Sequence, residues 1–524
     1  MGDTALVQRW ARVTARWAHA MASPRRRWIA RFCVVFGLCA IWALATPLFA
    51  GPDEPAHVIR AAGLSRGDFV AHDLVGSNQQ MVDVAERFSH AQAAADCLKN
   101  HPERNGTCVS FVGSDEVVAV ATTAGRYPPL AYLLPAVALR LSTRPIGVYL
   151  ARLATALMAS ACIATAFGDM DRLGSRLGRV GVAVATTPTV FFLSGVVNPS
   201  ALEIVAALAT WTSGLVLLHE AAHAESTGRS AGRFVLAASV LLLSRQLAPL
   251  WLAVAAVVIV VGYCGRPAAR SLWGSRRVRT GAGAVAVAGA FQLWWIFTVW
   301  KPKGDRTVRL DDAQGVITRL SIGRLTGEFR QMIGVFGWLD TPSPELTYLL
   351  WTTAVGALVL LGFACSSRRQ RWALGLLMLA VVALPVLIEV RQAPEYGLSW
   401  QGRYTLPIAV GVPLLAGVAA EGWWRDRGIS TVSLARMVVG CVGVAHVAAF
   451  WQHLRRYTVG ANGRLLFFRS PLWHAPVASW LLLGGYIVGI AAYLMVTTGV
   501  PFDLTEVDER TRCSELTSTS MTER

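Results

Sequence analysis

Apolar residues run along this chain in long unbroken blocks, not at the alternating or three-to-four-residue spacing of soluble strands and helices. The first block covers roughly residues 28 to 50. Others fall near 145 to 168, 179 to 197, 199 to 219, 233 to 246, 247 to 263, 280 to 299, 346 to 366, 372 to 390, 404 to 422, 434 to 451 and 476 to 499. A helix crosses the hydrocarbon core with about 20 such residues. The pattern therefore predicts an all-α polytopic membrane protein of about 12 transmembrane helices. The pair 233 to 246 and 247 to 263 is short for two crossings and suggests a hairpin broken at Arg245-Gln246. No internal repeat recurs at a fixed period.

Composition agrees: 54% of 524 residues are hydrophobic and only 15% charged, with mean hydropathy +0.45. The net charge of +17 comes mainly from arginines clustered in short connectors, such as Asp171 to Arg179, Arg266 to Arg279, Arg368 to Arg371 and Arg425 to Arg436. Such clusters mark the cytoplasmic side, so the charge sets topology and does not call for nucleic acid. The expected layout is a basic cytoplasmic N-terminus (1–27), a membrane domain (28–499) and a disordered cytoplasmic tail (500–524). Both termini are inside a cytoplasmic (inner or plasma) membrane, and connectors 51–144 and 300–345 are extracytoplasmic.

The exported connectors carry the polar motifs. Pro52-Asp53-Glu54-Pro55-Ala56-His57 follows the first block and sets two carboxylates and an imidazole at a membrane surface. Ionisable groups so placed are candidates for chemistry. They are also candidates for a helix cap, because Pro55 suits a first helical turn and an acid there is stabilising. Arg126-Tyr127-Pro128-Pro129-Leu130 opens an apolar run of about 15 residues, too short to span and suited to an interfacial helix. Asn198-Pro199-Ser200-Ala201-Leu202-Glu203 occupies an outer turn; Glu203, a helical turn below it, needs a cation such as Arg152 or Arg245. Further along come Gly337-Trp338-Leu339-Asp340-Thr341, Glu389-Val390-Arg391-Gln392, Gln401-Gly402-Arg403-Tyr404 and Arg455-Arg456-Tyr457. Interfacial Trp338 and Tyr404 suit a membrane-anchoring belt as well as a site, whereas arginines on an outer face suit phosphate.

Of nine cysteines, Cys97 and Cys108 share the first exported connector and form a candidate disulfide, two free thiols being the alternative. No dinucleotide fingerprint, phosphate-binding Walker loop, HExxH or CxxC is present. No cofactor is implied, with a divalent cation left open.

Outside the cytoplasm nucleotide sugars are absent, so a membrane enzyme there draws on a lipid-phosphate-linked donor. Transfer then needs a carboxylate base, Asp53 or Glu54, and cations on the leaving phosphate, Arg391 or Arg403, with Arg126 and Arg456 in reserve. The competing expectations are a transporter or flippase for a lipid-linked glycan and a non-catalytic scaffold for envelope assembly.

Taken together, the motifs at Pro52–His57, Tyr127–Leu130, Asn198–Leu202, Gly337–Thr341 and Gln401–Tyr404 resemble, over most of the chain, a bacterial multi-pass family known as domain of unknown function 2142. That family is similar to the C-type (GT-C) membrane glycosyltransferases, which use polyprenyl-phosphate sugars. Protein O-mannosyltransferases have an Asp-Glu pair with a nearby His after the first span, as Asp53, Glu54 and His57 stand here. Lipid-A aminoarabinose transferases have a similar Pro-Pro-Leu helix. The resemblance implies a GT-C-like fold with Asp53 at the position of the catalytic acid and Glu54 and His57 beside it as catalytic residues; the reading of the outer span ends adds Arg126, Tyr127, Asn198, Glu203, Trp338, Asp340, Arg391, Gln401, Arg403 and Tyr404 as substrate-binding candidates. The implied partners are a lipid-linked sugar donor, an envelope glycan or protein acceptor and the bilayer. The chain departs from the pattern in showing no soluble carbohydrate-binding domain after the last span and no second acidic motif near Asn198.

Overall fold

The computed structural model describes residues 23–75, 79–300 and 313–498; the residues before 23 and the tail from 499, which include most of the expected basic N-terminus and the disordered segment, lie outside them. Each of the twelve apolar blocks is helical. The main helices are α1 (Pro24–Ala45), α2 (Glu54–Ser65), α3 (Leu133–Leu141), α4 (Pro145–Arg172), α5 (Arg176–Ala185), α6 (Pro188–Ser194), α7 (Pro199–Ala222), α8 (Gly228–Leu242) and α9 (Ala248–Tyr263). They continue with α10 (Arg276–Trp295), α11 (Ala313–Gly334), α12 (Glu345–Cys365), α13 (Arg368–Tyr396), α14 (Gly402–Ala409), α15 (Gly411–Asp426), α16 (Val432–Val459) and α17 (Ser479–Thr498). Proline opens α1, α4, α6 and α7, where its missing N–H is no loss. Ser367 and Gln370 form a capping box on α13.

Among the described residues nine helices are long and apolar enough to cross a membrane, or ten when α5 and α6, bent by 63°, count as one. The count of about twelve is thereby lowered, because α8 and α9 have only 15 and 16 residues. They meet at 243–247, the expected break. A second departure is α11, a 22-residue helix inside the stretch read as an outer connector. Arg319, Arg324, Glu328 and Arg330 keep its hydropathy below that of a span, which hid it in the apolar profile.

Alternation of the helices sorts their ends into two faces. On one, Arg31 pairs with Asp171 at 2.7 Å, Arg425 donates to the Gly174 carbonyl at 3.1 Å and Arg369 to that of Cys264 at 2.9 Å, so the basic connectors meet there. On the other, Asn198 donates to the Pro52 carbonyl at 2.8 Å and Gln292 to that of Arg245 at 3.0 Å. The apolar window of α7 is wholly buried, making it the central helix, while α10 is buried over only 17% of its window and lies at the periphery.

The connector 51–144 is a small folded cap. Strands β1 (His72–Val75), β2 (Gln79–Ala85) and β3 (Val117–Thr122) form an antiparallel sheet in the order β1-β2-β3, with Val82 opposite Val120 and Val84 opposite Val118. Val82 and Val84 are fully buried, the alternation expected of a one-sided sheet. Gly63 of α2 lies so close to Val82 that a larger residue would collide with it. The Pro-Pro-Leu run forms a short 3-10 turn and then α3, whose Leu133, Leu134, Val137 and Leu141 remain exposed, consistent with an interfacial helix.

Candidate functional site

The turn after α1 places Asp53 and Glu54 back to back. Asp53 adopts a left-handed conformation (φ 57°) at the position preceding α2, which aspartate tolerates better than most residues. Its carboxylate makes no capping bond to the helix. It turns instead to the Arg403 guanidinium, Nη2 donating to Oδ2. Glu54 points the opposite way, into the bundle, and is fully buried. Both its oxygens accept from Arg152, each at 2.7 Å, and it also accepts from the backbone N–H of Val197 at 3.2 Å and of Gly51 at 3.3 Å. Arg152 spends its remaining donors on the carbonyls of Ala43, Thr46 and Pro47. A fully buried ion pair with every donor satisfied is a structural joint. Glu54, expected beside Asp53 in the chemistry, thus clamps α4 to the end of α1.

Arg403 lies on the first turn of α14, and 5% of its side chain is exposed. It donates to the Pro52 carbonyl at 3.3 Å and to the Tyr404 hydroxyl at 3.0 Å, and its Nε is buried without a partner among the described residues. α11 positions the turn before it: Gln331 accepts from the Gly402 N–H at 2.8 Å, and Arg324 donates to the Trp400 carbonyl at 3.1 Å while pairing with Glu389 at 2.8 Å. A Cβ on Gly402 would run into the Glu328 carbonyl, so glycine is what lets α11 and α14 touch.

Asp53 keeps 44% of its side chain exposed. Burial of its surroundings pushes the carboxyl up, but the Arg403 charge and, more weakly, Arg245 outweigh this and hold it below the usual aspartate value. His57, one turn along α2, is buried, and burial pushes it down to about 3, leaving a neutral ring. Its Nδ1 is 2.8 Å from the Tyr132 hydroxyl. Arg60, absent from the expected site, donates to the carbonyls of Asp68, Phe69 and Tyr127 and so fixes the Tyr127 segment.

The structure thus gathers Asp53, His57, Tyr127, Asn198, Glu203, Arg403 and Tyr404 into one cluster, linked through Arg403 and Arg245, of which Asp53 is the half-exposed member. Of the two cations offered to Glu203, Arg245 is the one that pairs with it, at 3.3 Å. Gln401 adjoins the site with its Oε1 buried and unpartnered among the described residues, as is the Arg126 Nε. Trp338 and Asp340 go elsewhere: Trp338 donates to the Phe49 carbonyl at 3.3 Å beneath Lys99, and Asp340 accepts from the Asn100 N–H at 3.1 Å and faces Arg456 at 3.8 Å. With Arg456 bonded to the Leu98 and His101 carbonyls, these residues brace the loop in which Cys97 is joined to Cys108. Arg391 is exposed near the end of α13 and takes no part in the contacts of Asp53. The described residues contain no group of three His, Cys, Asp or Glu placed to hold a metal ion. Arg245 was legible as a helix break and as a cation for Glu203, but not as a neighbour of Asp53 and Arg403, since nothing local ties it to positions 53 or 403.

Beyond Arg403, α14 continues as Leu406, Ala409 and Val410, which line an apolar cavity of about 240 Å³ together with Met332, Trp351 and Val381 of α11, α12 and α13. Charged Arg403 and apolar Leu406 are three residues apart on one helix, so they stand on the same side within a turn of each other. An ion-pair site exposed at one end therefore adjoins a hydrocarbon-like cavity at the other.

No curated protein matches the chain. Two solved structures are similar in outline: ArnT from Cupriavidus metallidurans bound to undecaprenyl phosphate, 15% identical with a TM-score of 0.41 over 90% of this chain and 77% of that one, and the same protein in the apo state, 16% identical with a TM-score of 0.44 over 91% and 78%. Residues 36–412 match the family described as "Predicted membrane protein (DUF2142)", and the chain belongs to that family.

Proposed function

We propose that the chain is a GT-C-type membrane glycosyltransferase that moves a sugar from a polyprenyl-phosphate donor to a cell-envelope acceptor at the extracytoplasmic face. The observation that carries this reading is the Asp53–Arg403 pair, a half-exposed carboxylate bound to a guanidinium whose Nε has no partner among the described residues. Arg403 takes the donor phosphate and balances the charge that develops as the glycosyl–oxygen bond breaks. Asp53 accepts the proton of the acceptor hydroxyl as that oxygen bonds to the sugar. His57 remains neutral and orients through Tyr132. The apolar cavity beside Leu406 suits a hydrocarbon tail attached to that phosphate. The basic face opposite Asp53 supports an inward placement of the short connectors and an outward one of the site.

The second reading, a carrier for a lipid-linked glycan, is favoured by the 63° bend between α5 and α6, since carriers bind at interrupted helices. One assay separates the two. Reconstituted protein is given a polyprenyl-phosphate sugar with envelope extract, and transfer of label to acceptor is followed for the parent and for Asp53→Asn. The enzyme reading expects transfer by the parent and a loss of about 100-fold to 10,000-fold in the variant. Movement of label across the bilayer without transfer, equal in both, supports the carrier and rejects the enzyme.

A further inference from the structure

The break between α8 and α9 delivers one charged side chain to the site. A break between membrane helices is tolerated where the freed backbone is re-satisfied or lines a cavity; here Gln292 donates to the Arg245 carbonyl at 3.0 Å. The Arg245 guanidinium lies 4.8 Å from the centre of the Tyr404 ring and 5.8 Å from that of Tyr127. Arg403 stands 5.0 Å from the same Tyr404 ring. Two cations therefore share one aromatic ring, and their separation cannot exceed the sum of the two distances.

If Arg245 served only to neutralise Glu203, the pair should resemble Glu54–Arg152, with both oxygens and all donors used. It does not. Arg245 reaches Glu203 through a single contact at 3.3 Å, Ser200 at 2.9 Å and the Tyr127 hydroxyl, so only one of its bonds goes to the carboxylate. Among the described residues its Nε is buried without a hydrogen-bond partner, and so are Glu203 Oε1 and the Nε2 of neighbouring Gln246. Buried groups left unmade are costly, and here they cluster around the cation nearest Arg403's ring. Two arginines face two carboxylates through one-point contacts, so each retains donors for an arriving anion.

We propose that Arg245 is a second phosphate-contacting residue, which with Arg403 holds one anionic headgroup at Tyr404. The inference rests on the anion-site reading of Arg403. The ligand class is a phosphate ester on a long hydrocarbon, with the ester tail leaving past Leu406. Neither arginine alone supplies the discrimination: Arg403 is already shared with Asp53, and Arg245 adds the donors that make a phosphate preferable to a neutral alcohol.

The test uses the full chain in nanodiscs, titrated separately with undecaprenyl phosphate, undecaprenol and inorganic phosphate. The parent should bind the lipid phosphate at least ~10-fold more tightly than the alcohol, and inorganic phosphate only weakly. Arg245→Gln could strand Glu203, so the decisive variant is the double change Arg245→Gln with Glu203→Gln, which removes both buried charges together. It should melt near the parent and lose the preference for phosphate while binding undecaprenol unchanged. Arg245→Lys should retain only part of the preference. A double variant with the parent's full preference would overturn the assignment of Arg245 while leaving Arg403 intact. A parent that binds lipid phosphate and alcohol equally would overturn the anion-site reading itself, and a parent equally content with inorganic phosphate would remove the lipid from it.

Discussion

Asp53 and Glu54 are neighbours in one motif, yet the fold gives them opposite environments. Glu54 is sealed inside the bundle, and its partner Arg152 has all its donors engaged. Asp53 remains 44% exposed, and the Nε of its partner Arg403 has no partner among the described residues. The difference teaches that a carboxylate at a membrane surface is not functional by its position alone; the saturation of its partner decides. A saturated buried pair is a joint, and an unsaturated one at an opening is a place for a ligand.

The comparison breaks most sharply at Arg152. Arg152→Ala leaves Glu54 buried without its cation, and should destabilise the protein by about 3–5 kcal/mol, seen as failure to accumulate in the membrane or as a large fall in melting temperature in detergent. Gly402→Ala comes next. Forcing a Cβ against the Glu328 carbonyl should cost about 1–3 kcal/mol, and by shifting Arg403 should weaken binding of undecaprenyl phosphate more than binding of undecaprenol. Arg403→Lys keeps the charge and loses the planar fork, so lipid-phosphate binding should weaken ~10-fold, about 1.4 kcal/mol, with melting close to the parent.

The smallest effect is on pH dependence. His57 sits at about 3 when folded against 6.5 ordinarily, so the unfolded chain binds its proton more readily, and stability falls as pH drops from 6.5 towards 3. Asp53, held low by Arg403, contributes stability above the usual carboxylate range that is lost as pH falls through its depressed value. Glu328 behaves oppositely. Burial and then Glu389 push it up to about 7 from 4.5, so it costs stability as pH rises between those values. Melting curves across pH should show Glu328→Gln removing a loss of stability as pH rises from 4.5 to about 7 and His57→Gln removing a loss as pH falls from 6.5 towards about 3, with no step near 6.5 in transfer that His57→Gln removes.

Much of this architecture was legible in the sequence, because long apolar blocks leave few alternatives to membrane helices. The break at Arg245-Gln246 was readable from the shortness of its two halves, and the two-faced arrangement from the arginine connectors. What was not legible has a common physical reason. Helix α11 is held by contacts with α13 and α14 and not by its own hydropathy, and the sheet in the cap consists of short strands within polar sequence. At the site, Asp53, His57 and Arg403 stood out as charged groups at block ends. The split between Asp53 and Glu54 did not, since it depends on Arg152 and on the Val197 N–H, nearly 100 and more than 140 positions away. Trp338 and Asp340 share one face of the bundle with Arg403 but serve the disulfide loop, a distinction that only tertiary contacts reveal.

The most direct test sets Asp53→Asn beside Glu54→Gln, measuring melting temperature and lipid-linked sugar transfer on the same preparations. Asp53→Asn should melt near the parent and lose transfer by at least about 100-fold; Glu54→Gln should melt well below the parent, with any protein that remains folded still transferring. Transfer by Asp53→Asn at the parent's rate, or a Glu54→Gln protein of unchanged stability that no longer transfers, would contradict the account.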